Sequence, residues 1–372
     1  MKTKKKFKTL AAGLAVFSMF FGSGNLVFPL ILGQQTQGES FISIIGLFLT
    51  AVLMPFLGVL AMILVRGEYR QFFSFLGKPL YLLICSSIIG LIGPFGVIPR
   101  CLTIAHAGIK TFAPETPLLL FSILSCIFIF FISMKKGRLI DILGYLLTPL
   151  LLGSLLTIAI KGLFSISVFP ESPLNKLESF SLGFVEGYNM MDLLAAFFFS
   201  KMVLRYFETD KGINLNRAIK AGGIGMGLLG VIYIAFTLLG AAFSFKLQNV
   251  APEQLLMKLA YEVLGPTGGI LASIAITLAC LTTAMALADV SSHFLVNDLC
   301  NSKLNGNISM LLVLSSSILI STFEFSGIAK FLAPILKVVY PILIVLTLFN
   351  LSVFFVKWIY DKKSKEEKSS IN

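Results

Sequence analysis

The sequence predicts an all-α integral membrane protein of about ten transmembrane helices, and three observations predict it. The first is composition. Hydrophobic residues make up 56% of the 372 and charged residues 13%, with a mean hydropathy of +0.92. Soluble domains carry about 25% charge, so this chain has too little polar surface to cover a soluble core, and lipid is the solvent that fits. The second is a series of apolar runs, each near the roughly 20 residues that a spanning helix needs. The third is the placement of the net charge of +12. Basic residues form short clusters between apolar runs rather than one basic domain, which argues for membrane topology and against nucleic acid.

In chain order, the predicted spans are 10–33, 41–65, 79–107, 117–134, 139–160, 180–204, 221–245, 263–295, 308–322 and 327–357. The first follows MKTKKKFK and starts like a signal peptide. Its apolar stretch runs on to Gly33 without an A-x-A-like site, so it reads as a helix that stays. The last holds Pro334, Lys337 and Pro341, and a bent or re-entrant first half is expected there. Residues 358–372 read as a short, charged, disordered cytoplasmic tail.

Lysine and arginine orient these spans. With both termini placed in the cytoplasm, twenty-one fall on the inner side, including Lys2, Arg66, Lys135, Lys136, Arg138, Lys211 and Lys303. Six fall outside: Lys110, Lys161, Lys176, Lys246, Lys258 and Lys330. Arg100, Lys201 and Lys337 fall within spans. This asymmetry favours cytoplasmic termini and an even number of crossings.

Cysteine adds no chemistry. Cys85, Cys101, Cys126 and Cys280 lie in apolar runs, Cys300 lies in a loop, and no pair has zinc or redox spacing. His106 and His293 are isolated and read as helix-end residues. No H-E-x-x-H occurs, and the surroundings of Gly22-Ser23-Gly24 do not fit an intramembrane serine hydrolase, so the chain is not expected to be an enzyme.

The informative places are where the apolar helices fail. The first span contains Phe21-Gly22-Ser23-Gly24-Asn25. Two closely spaced glycines weaken a helix, and Asn25 is costly in hydrocarbon unless it is satisfied. An unwound turn there exposes amides for an anion and carbonyls for a cation. The alternative is a small-residue packing face. The sixth span carries Gly183-Phe184-Val185-Glu186-Gly187-Tyr188-Asn189-Met190-Met191-Asp192. Ionisable groups at this depth face a cavity or a partner; Glu186 also suits an interface, whereas Asp192 runs straight into apolar sequence. Thr282 and Thr283 in the eighth span either back-bond to their own helix or, beside broken-helix carbonyls, contribute to an all-oxygen site for a hard cation. Arg100 follows Gly93-Pro94 and Pro99 in the third span. It is expected to act in structure, gating or coupling more than in direct ligation, together with Glu186 and Asp192.

Breaks in the first and sixth of ten helices point to an inverted repeat. The chain then reads as one transporter domain over 1–372, with five-helix halves at 10–161 and 179–357.

These stretches resemble the branched-chain amino acid:cation symporters, the BrnQ-type carriers. The resemblance rests on Phe21-Gly-Ser-Gly-Asn-Leu-Val-Phe-Pro29, Gly93-Pro94 with Pro99-Arg100, Gly183-Phe184 with Gly187-Tyr188 and Met191-Asp192, and Ala279-Cys-Leu-Thr-Thr283. It implies the LeuT-like fold and a sodium-coupled symporter that carries leucine, isoleucine and valine into a bacterial cell across its inner membrane. By that resemblance, Gly22, Ser23, Gly24 and Asn25 hold the substrate carboxylate, while Gly187, Tyr188 and Asn189 line the side-chain pocket. Carbonyls of Ser18, Phe21 and Ala279 with the hydroxyls of Thr282 and Thr283 form a sodium site, and Asn25 approaches a second sodium ion. No cofactor beyond the coupling ion, sodium or alternatively a proton, is implied. The partners are the amino acid and the bilayer, and no oligomeric state is implied. Methionine or another neutral amino acid is the alternative substrate, and a passive channel is a distant alternative. Two departures stand out: Met190 occupies a position where the family usually has threonine, and about ten spans replace the usual twelve or so.

Overall fold

In a computed structural model, residues 2–73, 77–110, 112–133, 143–209 and 212–370 are described. Lys135, Lys136, Arg138 and Lys211 of the charge count lie outside the described residues, as do Met134 and Leu139 at the ends of two predicted spans.

The chain is almost wholly helical. Helix α1 (Lys2–Phe20) stops at Phe21-Gly22, and α2 (Ser23–Thr36) follows. A 3-10 turn at Gln37–Glu39 leads to α3 (Ser40–Phe48), which continues through a π turn at Leu49–Leu53 into α4 (Met54–Leu64). Next come short α5 (Tyr69–Phe72), α6 (Lys78–Ile92), α7 (Val97–Ile109), α8 (Leu118–Ser133) and α9 (Thr148–Phe164). Helices α10 (Lys176–Met190) and α11 (Asp192–Tyr206) meet at Met191, bent by 42°. A two-stranded antiparallel hairpin, β1 (Glu208–Thr209) with β2 (Gly212–Ile213), precedes α12 (Leu215–Ala242). The chain ends with α13 (Leu255–Leu264), α14 (Pro266–Phe294), α15 (Gly306–Ser321) and α16 (Glu324–Ser370).

By length and composition, 6 helical stretches among the described residues can cross a membrane, or 7 when α10 and α11 count as one span. One of the six, Ser23–Leu64, is 42 residues long and contains α2, α3 and α4. Helices α8 and α15 are apolar but have 16 residues each. Large apolar side chains such as Phe131, Leu319 and Val345 stay exposed on the outside of the bundle, as lipid-facing positions should.

The C-terminal region corrects two expectations. Pro334 and Pro341 lie inside one 47-residue helix, so the chain does not re-enter there as a separate segment. The residues after Trp358 continue that helix to Ser370 instead of forming a disordered tail. Good helix formers, Lys and Glu, dominate this stretch and favour continuation.

Two of the close backbone crossings in the bundle are made by glycine on both helices. Where α3 meets α10, a Cβ on Gly46 would strike the carbonyl of Phe180, and one on Gly183 would strike the carbonyl of Ser43. Where α2 meets α12, Gly33 faces the carbonyl of Thr237 and Gly240 faces that of Leu30 in the same reciprocal way. Lipid offers no hydrophobic drive between helices, so close approach of small residues supplies the packing. Gly33→Ala is therefore expected to destabilise the carrier by about 1–3 kcal/mol, the usual range for overpacking. Thermal melting of the detergent-purified protein, followed by size-exclusion chromatography, checks this; an unchanged melting temperature would count against the crossing.

Outside the bundle, Glu262 on α13 accepts from Lys258 at 2.7 Å and pairs with Lys246 at 3.1 Å. These hydrogen bonds hold its carboxyl below the usual carboxylate range.

Candidate functional site

The break between α1 and α2 has a local cause. Gly22 adopts an extended conformation, and its N–H donates to Oδ1 of Asn25 at 3.0 Å. Asn25 thus caps its own helix from the third position, with its amide group left to point across the bundle. Nδ2 of Asn25 reaches both oxygens of Asp192, at 3.0 and 2.8 Å, and also contacts the hydroxyl of Tyr233. Tyr233 donates to Oδ2 of Asp192 at 2.8 Å. The three side chains close a ring between α2, α11 and α12, and each is only 2% exposed. Asp192 is the first residue of α11, where the helix dipole favours a carboxylate.

The second break is made without glycine. Met191 carries it in the left-handed region, at φ 66° and ψ 17°, a conformation costing about 1–3 kcal/mol for such a residue. Neighbouring groups hold the turn. The N–H of Met191 donates to the carbonyl of Tyr188 at 3.0 Å, and the N–H of Leu193 donates to the hydroxyl of Tyr340 at 3.1 Å. Tyr340 in turn donates to the carbonyl of Thr50 in the π turn. The π turn therefore aims a carbonyl at the partner that secures the second break.

A third interruption, at Gly93–Gly96, separates α6 from α7 and starts the helix that carries Arg100. This guanidinium is 1% exposed. It lies 5.1 Å from the ring centroids of both Phe28 and Phe325. Its Nη1 donates to the carbonyl of Asn189 at 3.2 Å, near the C-terminal end of α10, where a cation complements the helix dipole.

The fourth component is the threonine pair of α14. The Thr282 hydroxyl lies 3.3 Å from the carbonyl of Ser18 and 3.0 Å from that of Ala279. The Thr283 hydroxyl lies 3.1 Å from the same Ser18 carbonyl. Thr282 back-bonds to its own helix, and both hydroxyls also reach across to the last turn of α1. Gly22 packs directly on Thr283, since an added Cβ would sit 2.9 Å from its methyl carbon.

A small cavity of about 10 Å³ sits at the centre. Ser23, Gly24, Asn25, Arg100, Asp192 and Thr283 all line it. The remaining wall includes Met19, Phe20, Met190 and Phe199. Of the residues singled out by sequence, these six line the cavity, and Gly22, Ser18, Ala279 and Thr282 gather beside Thr283. The following lie elsewhere or turn other atoms toward the site. Gly187 packs on Thr50 of the π turn. Tyr188 stacks on Tyr340, with centroids 4.5 Å apart. The Asn189 side chain donates to Glu186 at 2.9 Å, so only its carbonyl faces Arg100. Phe21 stacks its ring on Phe17 and sits beside Tyr233 and Phe236. Tyr233 and Tyr340 were missed; a tyrosine deep in an apolar span, whose hydroxyl must find a partner, was the available signal.

Comparison with known proteins decides the family. Residues 5–366 match the family described as branched-chain amino acid transport protein. The chain belongs to that family. Its relatives include the branched-chain amino acid permease BrnQ of Bacillus subtilis, 31% identical over 89% of this chain and 78% of the relative. The branched-chain amino acid permease BraB of the same organism is 28% identical over 91% and 78%. The branched-chain amino acid transport system 2 carrier protein of Pseudomonas aeruginosa is 29% identical over 95% and 82%. Among solved structures, a Na+-coupled sialic acid symporter has a TM-score of 0.58 at 14% identity, covering 92% of this chain and 78% of that one. A manganese transporter of Eremococcus coleocola has a TM-score of 0.59 at 15% identity, covering 94% and 78%. These two share the fold. The chain is thus a multi-pass membrane protein of a transporter family and not an enzyme.

Proposed function

We propose that this family member is a sodium-coupled symporter that carries leucine, isoleucine and valine into the cell. In this reading it crosses a bacterial inner membrane ten times, as two five-helix halves over 10–161 and 179–357, with both termini in the cytoplasm. The observation that carries it is the meeting of Thr282 and Thr283 with the Ser18 carbonyl, beside a cavity bordered by both helix breaks. The carbonyls of Ser18 and Ala279 with two hydroxyls form an all-oxygen donor set, which suits a hard cation and not a soft one. Hydroxyls keep lone pairs free while donating, so the same groups can hold an ion.

The cavity walls support the substrate class. Met19, Phe20, Met190 and Phe199 offer an apolar surface, and Met190 adds thioether bulk where an oxygen ligand would be less welcoming to a branched alkyl chain. The space amounts to about one water. Admitting an amino acid therefore requires the helices to separate, as rocking of one bundle against the other would do.

The energetics are adequate. A zwitterion is neutral, so accumulation needs a coupled ion. One positive charge moving inward across about 100 mV yields roughly 2.3 kcal/mol, enough for about fortyfold accumulation before any sodium gradient is added.

The test is uptake in proteoliposomes. Labelled leucine, isoleucine and valine should enter saturably under an inward sodium gradient, with methionine weaker. If none of the four enters, the reading is wrong. A proton-coupled version is favoured by one observation, the buried Asp192 carboxylate in its closed ring with Asn25 and Tyr233. Uptake driven by a pH gradient and indifferent to sodium would select it.

A further inference from the structure

We propose that Arg100 is the charged anchor for the substrate's α-carboxylate, gripping it with its Nε–Nη2 edge against the first turn of α2. The proposal rests on the amino-acid reading above and goes beyond it by naming the group that recognises the anionic pole.

The argument starts from an unanswered charge. Arg100 is 1% exposed, and a buried guanidinium needs an anion or a full set of acceptors. Its Nη1 has the Asn189 carbonyl and the Met191 sulfur. Its Nε and Nη2 have no hydrogen-bond partner among the described residues. No carboxylate lies within ion-pair distance of it among them. The two nearby acids are engaged otherwise: Asp192 with Asn25 and Tyr233, and Glu186 with Asn189.

The two unmet donors are not scattered. Nε–H and one Nη2–H lie parallel along one edge of the guanidinium plane, and that fork matches the two oxygens of a carboxylate. Phe28 and Phe325 hold the plane at 5.1 Å, so the fork is preorganised and its rotamer entropy already spent.

The start of α2 beside this edge favours an anion in its own right. Arg100 lines the central cavity with Ser23 and Gly24. A Cβ on Gly24 would lie 3.0 Å from Nη2, so the guanidinium rests against the α2 backbone. Helix α2 is 14 residues long, and its first amides have no intrahelical acceptor. The Ser23 hydroxyl is buried and has no hydrogen-bond partner within bonding distance among the described residues. A carboxylate placed there would meet a guanidinium edge, helix N-terminal amides and a hydroxyl. Asp192 also lines the cavity and retains acceptor capacity, so an α-ammonium has a place to face. The cavity lining thus offers a partner for each charge of a zwitterion.

A purely structural Arg100 would use its stacking and its bond to Asn189 and gain nothing from the free edge. The two roles separate by ligand chemistry. Leucinamide keeps the ammonium and side chain of leucine but replaces the carboxylate by a neutral amide. Equilibrium binding of leucine and leucinamide is measured on the purified full-length carrier in sodium. The wild type should bind leucine about 30- to 5,000-fold more tightly, the span for loss of one partner of a buried charged pair. Arg100→Gln should weaken leucine by that factor, leave leucinamide within about threefold, and so bring the ratio near one. Arg100→Lys should restore part of it.

Gly24→Ala serves as the second variant should Arg100→Gln fail to yield folded carrier. Its methyl displaces the fork and should reduce the ratio in the same sense. A ratio unchanged from wild type in whichever of the two folds overturns the proposal. A wild type that binds no amino acid at all would instead overturn the substrate reading, so the two failures are distinguishable.

Discussion

Asn25→Ala is expected to lower the initial rate of leucine uptake by at least about 100-fold in proteoliposomes. The side chain accepts from Gly22 at 3.0 Å and gives its amide to Asp192 and Tyr233. Truncation leaves the Gly22 N–H without its cap and Asp192 with one donor in place of several. A buried group left unsatisfied costs about 1–3 kcal/mol, and more when it is charged. Two such losses come to about 2–6 kcal/mol, and the charge on Asp192 puts the sum above the roughly 2.7 kcal/mol that corresponds to 100-fold. Tyr233→Phe is the graded comparison. It removes one hydroxyl from the same ring and should cost about tenfold. Uptake is normalised to the quantity of monodisperse protein reconstituted, which separates a folding loss from a transport loss. If Asn25→Ala transports at the wild-type rate, the ring does not belong to the working site.

The ring also marks how far the sequence could be read. Asn25 and Asp192 were each legible, because a polar group in a continuous apolar span demands a partner. Their partnership was not, since 167 residues separate them and nothing local encodes the crossing of α2 and α11. Tyr233 escaped notice for a related reason. An aromatic ring fits an apolar helix without comment, and only the third dimension shows what its hydroxyl meets. The second break illustrates a different limit. Gly183 and Gly187 belong to the stretch read as the second break, yet both serve close packing on α3 and the following π turn. The bend falls at Met191, where the backbone is held left-handed by bonds from Leu193 to Tyr340 and on to Thr50. Propensity locates weak places in a helix; tertiary contacts choose which of them bends. The tail shows the reverse case, where local propensity for helix prevailed over a compositional expectation of disorder.

Replacing Thr282 and Thr283 together by alanine is expected to raise the sodium concentration for half-maximal uptake by at least about tenfold. The reasoning begins with donor chemistry. A hard cation stripped of water needs oxygen ligands in return, and these hydroxyls are two of the four oxygens gathered at the Ser18 carbonyl. Alanine supplies no replacement, so each lost ligand weakens the ion more than it weakens the fold. The shift should be specific. Leucine affinity measured at saturating sodium should stay within a few-fold of wild type, because neither hydroxyl belongs to the apolar wall. Valine at both positions keeps the volume while removing the oxygens. It should show the same rise in sodium requirement with less loss of stability than alanine, whose smaller side chains also leave a void. Two variants that differ in packing but agree in sodium dependence would tie the effect to oxygen and not to shape. A sodium titration unaltered in both would remove this cluster from the coupling mechanism. The Asp192 ring would then be the remaining candidate for the ion or the proton.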